Sequence, residues 1–192
     1  LRYFIKLAYN GAPFHGWQIQ PHDNSVQETL EKALSTLLRQ PIQVVGAGRT
    51  DTGVNAATTY AHMDVEQPIA NCDQLVYSLN KLLCKDIAVY SVFPVSDDKH
   101  ARFDATSRTY KYFTHNVKSP FRYTLSWYCP RSLDFDLMNR AAERMMRYTD
   151  FTSFSKLHTD VKTNNCKIML AHWERAKDEW GHDTLTFTIR AD

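Results

Sequence analysis

The sequence lacks the features that define several large protein classes. It holds four cysteines in 192 residues, at positions 72, 84, 129 and 166, and none of them forms a Cys-x-x-Cys pair. This spacing supports neither a zinc ribbon nor a thioredoxin-type motif, and it favours free thiols in a reducing cytoplasm. No apolar run approaches the roughly 20 residues of a membrane span, and no signal-peptide pattern opens the chain. We therefore expect a cytoplasmic protein with no membrane partner.

Motifs for metals and nucleotides are missing as well. The eight histidines include no His-Glu-x-x-His and no cluster at metal-ligand spacing. Gly46, Gly48 and Gly53 are spaced like the glycines of a nucleotide-binding loop, but a Rossmann fingerprint needs a helix directly after them and a P-loop needs Lys-Ser/Thr. Val54-Asn55 and a β-like run follow instead. We therefore expect neither a metal site nor phosphate binding by this loop.

Charge of one sign is not in excess either. The formal net charge is +2, and 43% of the residues are hydrophobic and 23% charged, as in ordinary globular proteins. So weak a net charge neither demands nor excludes a nucleic-acid partner, because a local basic face matters more than the total.

What the first half does contain is a clear hydrophobic pattern. Apolar and polar residues alternate at the start of the chain, which predicts a strand, and Ser25-x-x-Glu28 is a capping box before an amphipathic helix. The order that follows is β-α-β-β-α-β, the ferredoxin-like order. The last of these strands is apolar at nearly every position, on both faces, which predicts burial on both faces. The predicted elements are strands over 2–9, 42–45, 55–65 and 87–93, and helices capped by Ser25 and Asn71.

The second half begins in the same way and stops early. It predicts a strand over 107–116, a helix capped by Asp134, and strands around 168–173 and 184–190. We therefore predict an α+β protein of two ferredoxin-like halves, 1–99 and 100–192, with the second truncated after its third strand. The polar segment 151–167 is predicted to be a long loop with a functional role.

The most informative run is Gly48-Arg49-Thr50-Asp51, in a loop between two predicted strands. Loops held by rigid elements often carry functional residues. A carboxylate beside a fixed cation stays ionised and can serve as a nucleophile. A hairpin turn closed by a surface ion pair between Arg49 and Asp51 accounts for the same spacing. The residues alone leave both interpretations open.

Cations and aromatics also alternate at the start of the second half. Arg102 lies in His100-Ala101-Arg102-Phe103, and along the next strand Arg108, Tyr110 and Tyr112 share one face. Cations suit RNA phosphates and aromatic faces suit unstacked bases, so Arg102 and Arg108 are candidate RNA contacts. A partly exposed strand with snorkelling basic side chains is the alternative.

Six stretches in the same order together resemble the tRNA pseudouridine synthases of the TruA type. The resemblance covers nearly the whole chain, and six ordered motifs make chance agreement improbable. The motifs are Tyr9-Asn10-Gly11 with Phe14-x-Gly16-Trp17-Gln18, Ser25-Val26-Gln27, Ala47-Gly48-Arg49-Thr50-Asp51-x-Gly53-Val54, His100-Ala101-Arg102-Phe103, Arg108-x-Tyr110-x-Tyr112, and Asp150-Phe151-Thr152-Ser153-Phe154.

The resemblance implies a cofactor-free isomerase. The family converts uridines at positions 38 to 40 of the tRNA anticodon stem-loop to pseudouridine, and its members are homodimers. Its fold is similar to two ferredoxin-like halves joined into one mostly antiparallel sheet, with helices on one side, across a basic cleft. By this resemblance Asp51 falls on the nucleophile, Arg49 on the arginine that displaces and holds the target nucleotide, and Tyr110 on the tyrosine that stacks against the uracil.

The sequence departs from the family pattern in two places. Asn55 stands where histidine is usual. The family also continues with a helix of the Phe-Leu-Arg-x-Met-Val-Arg kind that brings a basic residue against the aspartate. We therefore expect a chain that stops at Asp192 to lack that partner of Asp51, which puts its activity in question.

Two other functions are compatible with the same residues. The alternative hypothesis is a non-catalytic RNA-binding module of ferredoxin-like fold, which would bind an anticodon stem-loop without isomerising it. A sheet-mediated assembly protein is the third, and it predicts no salt-dependent affinity for tRNA.

Overall fold

The chain forms two compact units. Both contain helices and a mostly antiparallel sheet, which confirms the prediction of an α+β protein. The computed structural model describes residues 1–155 and 163–192. These divide into Leu1–Ala105 and Thr106–Asp192, and each unit holds one four-stranded sheet. In the described part of the chain, no helix is long and apolar enough to cross a membrane.

The first unit has the predicted order β-α-β-β-α-β. Its strands are hydrogen-bonded in the order β2-β3-β1-β4, and every pair is antiparallel. Tyr3, Ile5, Leu7 and Tyr9 of the central strand β1 all lie in the core, as their alternation predicts. The elements are β1 (Arg2–Tyr9), α1 (Val26–Leu38), β2 (Val44–Gly46), β3 (Ala56–Asp64), α2 (Cys72–Leu82) and β4 (Ile87–Val95).

Both helices of this unit begin at the residues that the sequence indicates. The Ser25 hydroxyl accepts a hydrogen bond from the Glu28 N–H at 3.2 Å, and the Asn71 side chain accepts one from the Gln74 N–H at 2.9 Å. Such caps satisfy backbone donors that the first helical turn leaves unpaired, and each is worth about 1 kcal/mol. The capping residues therefore fix where α1 and α2 start relative to the sheet.

The prediction that the last strand is buried on both faces is wrong. Ile87, Val89 and Val92 of β4 are buried, but the Tyr90 side chain is 55% exposed and Phe93 is also exposed. The strand lies at the edge of an antiparallel sheet, and such sheets commonly pack one face on the core and leave the other in solvent. The prediction from the apolar composition of β4 therefore overestimated how much of the strand is buried.

The second unit has the predicted β-α-β-β order with one addition. Its strands are ordered β6-β5-β8-β7. The added strand β6 pairs in parallel with the end of β5 and is too short to leave a periodic signal. The predicted loop over 151–167 includes residues 156–162, which lie outside the described residues. The elements are β5 (Arg108–His115), β6 (Trp127–Tyr128), α3 (Phe135–Met145), a 3-10 turn (Thr152–Phe154), β7 (Ile168–Lys177) and β8 (Asp183–Ala191).

The core of this unit is small and lies between α3 and the β7–β8 pair. Ala142 of α3 packs with Ile168 and Ala171. Beside them the rings of Trp173 and Phe187 stack at 4.9 Å between centroids. Stacked aromatic rings bury a large apolar area for few residues, so this pair anchors β7 to β8, the strand that pairs with β5.

Candidate active site

Arg49 and Asp51 lie on the loop that joins two strands of the first unit. Strand β2 ends at Gly46 and β3 begins at Ala56, and both charged side chains are exposed. The loop starts from the sheet with a hydrogen bond from the Ala47 N–H to the Tyr60 carbonyl at 2.7 Å. Both functional groups are therefore presented to solvent from a backbone that is tied to the sheet.

The two charges do not neutralise each other. Among residues 1–155 and 163–192, the ion pairs do not include one between Arg49 and Asp51. A hairpin closed by that ion pair, which the sequence left open, is therefore not observed. A carboxylate that forms no ion pair with these residues can attack or stabilise a bound substrate.

The segment over 10–17 clamps this loop on both sides of Asp51. The Trp17 N–H donates to the Thr50 carbonyl, immediately before Asp51, at 3.1 Å. The Gly53 N–H, two residues after it, donates to the Phe14 carbonyl at 3.4 Å. Backbone hydrogen bonds at this spacing restrict the loop to one conformation, and such preorganisation is what a catalytic group requires.

Glycines make this close approach of two backbones possible. A Cβ on Gly11 would lie 2.1 Å from the Val54 carbonyl oxygen, and one on Gly46 would lie 2.5 Å from the Trp17 ring. Only glycine, which has no Cβ, fits where a backbone or ring comes so close. Gly11 and Gly46 therefore allow the 10–17 segment to pack directly against the loop.

Asn55 is a site-supporting residue that sequence reasoning missed. Its side-chain oxygen accepts a hydrogen bond from the Gly11 N–H at 2.7 Å, so it joins the end of the loop to the clamping segment. The sequence singled out Asn55 only as a departure from the family pattern. A signal for its role existed in the tendency of asparagine to bond to nearby backbone in turns, but its partner lies 44 positions away.

Tyr9 supports the loop from the core. Its hydroxyl shares a hydrogen bond with the Thr50 hydroxyl at 2.8 Å, and its ring lies against Trp17 with 6.0 Å between centroids. Tyr9 is buried in the main core cluster. The residue before Asp51 is therefore connected directly to the most rigid part of the first unit.

Replacing Tyr9 with phenylalanine should lower kcat as well as the free energy of unfolding. We expect Tyr9→Phe to lose the bond to Thr50, at about 1 kcal/mol of unfolding free energy, and to lower kcat about tenfold because the loop is less well positioned. Urea unfolding and isomerisation kinetics measure the two effects.

Tyr3→Phe is the matched control on the same strand. The Tyr3 hydroxyl is also buried and accepts from the Ile69 N–H at 3.1 Å, away from the loop. The Tyr3→Phe variant should lose a similar amount of unfolding free energy, about 1 kcal/mol, and keep the wild-type kcat. Equal kcat values for the two variants would show that the bond to Thr50 does not position Asp51.

Tyr110 and Arg108 lie on β5 of the second unit. Strand register places Arg108, Tyr110 and Tyr112 opposite Ala191, Ile189 and Phe187, so the prediction that these three share one face is confirmed. Tyr110 is 43% exposed, whereas Arg108 is half-buried. Arg49 and Asp51 thus share one loop, and Tyr110 and Arg108 share one strand.

Arg102 lies in a tight turn after β4, still in the first unit. The turn is closed by the Asp104 N–H, which donates to the His100 carbonyl at 2.9 Å, and by the His100 N–H, which donates to the Asp104 carboxylate at 2.8 Å. The Arg102 side chain is exposed, as a contact to RNA phosphate requires.

The remaining described surface offers less chemistry. Within the described ranges, His, Cys, Asp and Glu side chains do not gather in groups of three or more that could hold a metal ion. An open cavity of about 280 Å³ in the second unit is lined by residues that include Phe151, Phe154 and Cys166. It overlaps the last of the six motifs but contains none of the predicted site residues.

Comparison with known proteins identifies the family to which the chain belongs. The sequence profile described as tRNA pseudouridine synthase matches residues 7–104. The chain is similar to tRNA pseudouridine synthase A of Parabacteroides distasonis, with 55% identity over all of this chain and 74% of the relative. It is similar to the same enzyme of Bacteroides fragilis, with 54% identity over 100% and 74%, and of Bacteroides thetaiotaomicron, with 53% over 100% and 70%. The chain belongs to the tRNA pseudouridine synthase family.

Proposed function

We propose that the protein is an isomerase that converts uridine to pseudouridine in the anticodon stem-loop of tRNA, at positions 38 to 40, with Asp51 as its nucleophile. The observation that carries this proposal is the exposed Asp51 carboxylate, which Arg49 does not neutralise and which the backbone clamp holds in place. In a member of this family, that is the group suited to attack a nucleotide.

The chemistry requires one bond to break and one to form within a single nucleotide. The N1–C1′ glycosidic bond breaks, Asp51 forms a covalent bond to the nucleotide, and the uracil turns so that C5 bonds to C1′. The bond to Asp51 breaks and regenerates the carboxylate, C5 loses its proton to a base, and N1 gains one from solvent. Atoms and electrons balance without an oxidant or reductant, so the reaction requires no redox cofactor.

The other predicted residues have roles around this step. We propose that Arg49 displaces and holds the target nucleotide, because the uracil must leave its stack before its reacting atoms are accessible. Tyr110 stacks against the detached uracil while it turns. Arg102 and Arg108 contact phosphates. On this account the N-terminal half, 1–99, carries the catalytic loop and the C-terminal half carries Tyr110.

The proposed biological setting follows from the substrate. tRNA is the partner, and we propose that the protein acts on it in the cytoplasm as a homodimer. The free cysteines suit a reducing compartment.

Release of tritium from tRNA labelled at uridine C5 tests the proposed function. We expect the purified protein to release tritium in proportion to the pseudouridine formed, and to release none from a stem-loop with cytidine at positions 38 to 40. Salt-dependent binding of the stem-loop without tritium release would instead support the non-catalytic RNA-binding module.

A further inference from the structure

A continuous row of aromatic rings crosses the first sheet on the face opposite its buried core. The row starts at the exposed Phe93 of the edge strand β4, passes over β1 and β3, and ends on the turn over 100–104. Its rings are in contact along its whole length. Centroid distances are 6.1 Å for Phe93–Phe4, 6.2 Å for Phe4–His62, 4.6 Å for His62–His100 and 4.2 Å for His100–Phe103.

Hydrogen bonds fix the two histidines of this row. His62 Nδ1 accepts from the Ala101 N–H at 3.2 Å, and His100 Nδ1 accepts from the Arg102 and Phe103 N–H groups at 3.2 and 3.3 Å. A ring nitrogen that accepts from a backbone N–H carries no proton. Burial, and after it the nearby charge of Arg2, lowers the pKa of His62, which keeps that ring neutral. The turn is therefore held on the sheet.

The last ring of the row is presented to solvent. Phe103 stacks on His100 with only 28° between the ring planes, yet 76% of the residue is exposed. Exposing a phenylalanine this far forgoes the stabilisation that burial of the ring would give. A ring that is preoriented on one face and open on the other is the geometry of a stacking platform.

We propose that Phe103 is a stacking platform for an unpaired base of the RNA substrate, with Arg102 beside it contacting phosphate. Sheets of ferredoxin-like order bind single-stranded RNA by stacking bases on aromatic rings of the face away from their helices. A protein partner fits less well, because a stable interface buries about 1,000 Å² or more whereas one aromatic side chain offers about 200 Å².

The base on this platform is not the uridine that reacts. Tyr9, which bonds the catalytic loop through Thr50, and Phe4, whose ring lies in the row, are five residues apart on β1, about 17 Å along a strand. We therefore assign the platform to a base other than the reacting uridine. The inference rests on the proposed function for the identity of the substrate, but the platform itself concerns binding and not isomerisation.

Substitution of Phe103 tests the platform directly. We expect Phe103→Leu to weaken the Kd for an anticodon stem-loop about tenfold, to raise KM by a similar factor and to leave kcat unchanged, and Phe103→Trp to restore wild-type affinity. Tyr77→Leu removes another exposed ring of the first unit, on α2, and should change nothing. 2-Aminopurine placed in turn at each unpaired position should be quenched by stacking at one position in the wild type and not in Phe103→Leu.

The outcomes separate this inference from the proposed function. Affinity that depends on Phe103 without tritium release would support the platform and contradict the isomerase. Isomerisation with the same Kd and KM in Phe103→Leu as in the wild type would overturn the platform alone. Loss of a dimer in Phe103→Leu, measured by analytical ultracentrifugation, would also overturn it and assign the ring to a protein contact.

Discussion

The Gly16→Ala variant is expected to lose about 99% of its turnover while Gly53→Ala, much closer to Asp51 in sequence, keeps most of it. Gly16 has φ +91°, and a Cβ there would lie 2.5 Å from the Thr50 carbonyl oxygen and 3.3 Å from the Asp51 carbonyl carbon. The neighbouring atoms are backbone and cannot turn aside, so the loop that carries Asp51 must shift. A misplacement of about 1 Å costs on the order of 100-fold in rate.

Gly53→Ala separates backbone strain from displacement of the loop. Gly53 also has a left-handed φ, +77°, but a Cβ there would meet nothing within 4 Å. Gly53→Ala should therefore lower the free energy of unfolding only by the left-handed strain, about 1–2 kcal/mol. Gly16→Ala adds the steric clash and should lower it by about 3 kcal/mol or more.

Urea unfolding and tritium release, with both variants assayed under conditions where each is folded, measure these effects. Turnover of folded Gly16→Ala at the wild-type level would contradict the claim that the 10–17 segment positions the catalytic loop.

Local rules predicted the parts of the fold that depend on local interactions. The alternation of β1 and the caps at Ser25 and Asn71 act within a few residues, so the sequence carries them completely. The predicted burial of β4 on both faces was wrong because its apolar residues do not reveal that the strand lies at an edge. Edge position is a property of the assembled sheet. The β6 strand was not predicted because two residues are too few to show an alternating pattern.

The candidate site divides in the same way. Asp51 and Arg49 were identified from a short motif and its family resemblance. The contacts that hold them in place were not, because Tyr9 and Gly16 lie 41 and 34 positions before Thr50, and Asn55 lies 44 positions after Gly11. Only folding brings those groups together. That Arg49 and Asp51 form no ion pair with each other is also a consequence of tertiary structure, because their spacing in the sequence permits one.

Asp51→Asn is expected to have the largest effect on chemistry with little effect on folding. The amide keeps the shape of the carboxylate but removes its charge and nucleophilicity, so kcat should fall about 10⁴-fold or more. Because the side chain is exposed and forms no ion pair with another described residue, the unfolding free energy should change by less than about 0.5 kcal/mol.

Asp73→Asn is the matched control for this loss of charge. Asp73 is an exposed acidic residue in the first turn of α2, in the same unit as Asp51. Its replacement removes a favourable interaction with the helix dipole worth about 0.5 kcal/mol and should leave kcat and stem-loop binding unchanged. A loss of turnover in both variants would assign the effect to overall charge rather than to Asp51.

The most direct test of the account is a single-turnover measurement with enzyme in excess over a C5-tritiated anticodon stem-loop. With the enzyme also well above the Kd, all substrate is bound, so differences in affinity no longer affect the rate. The wild type should release the tritium of its target uridine completely, and Asp51→Asn should bind the stem-loop with an unchanged Kd and release none. Tritium release by Asp51→Asn at the wild-type rate would contradict the proposal that Asp51 is the nucleophile.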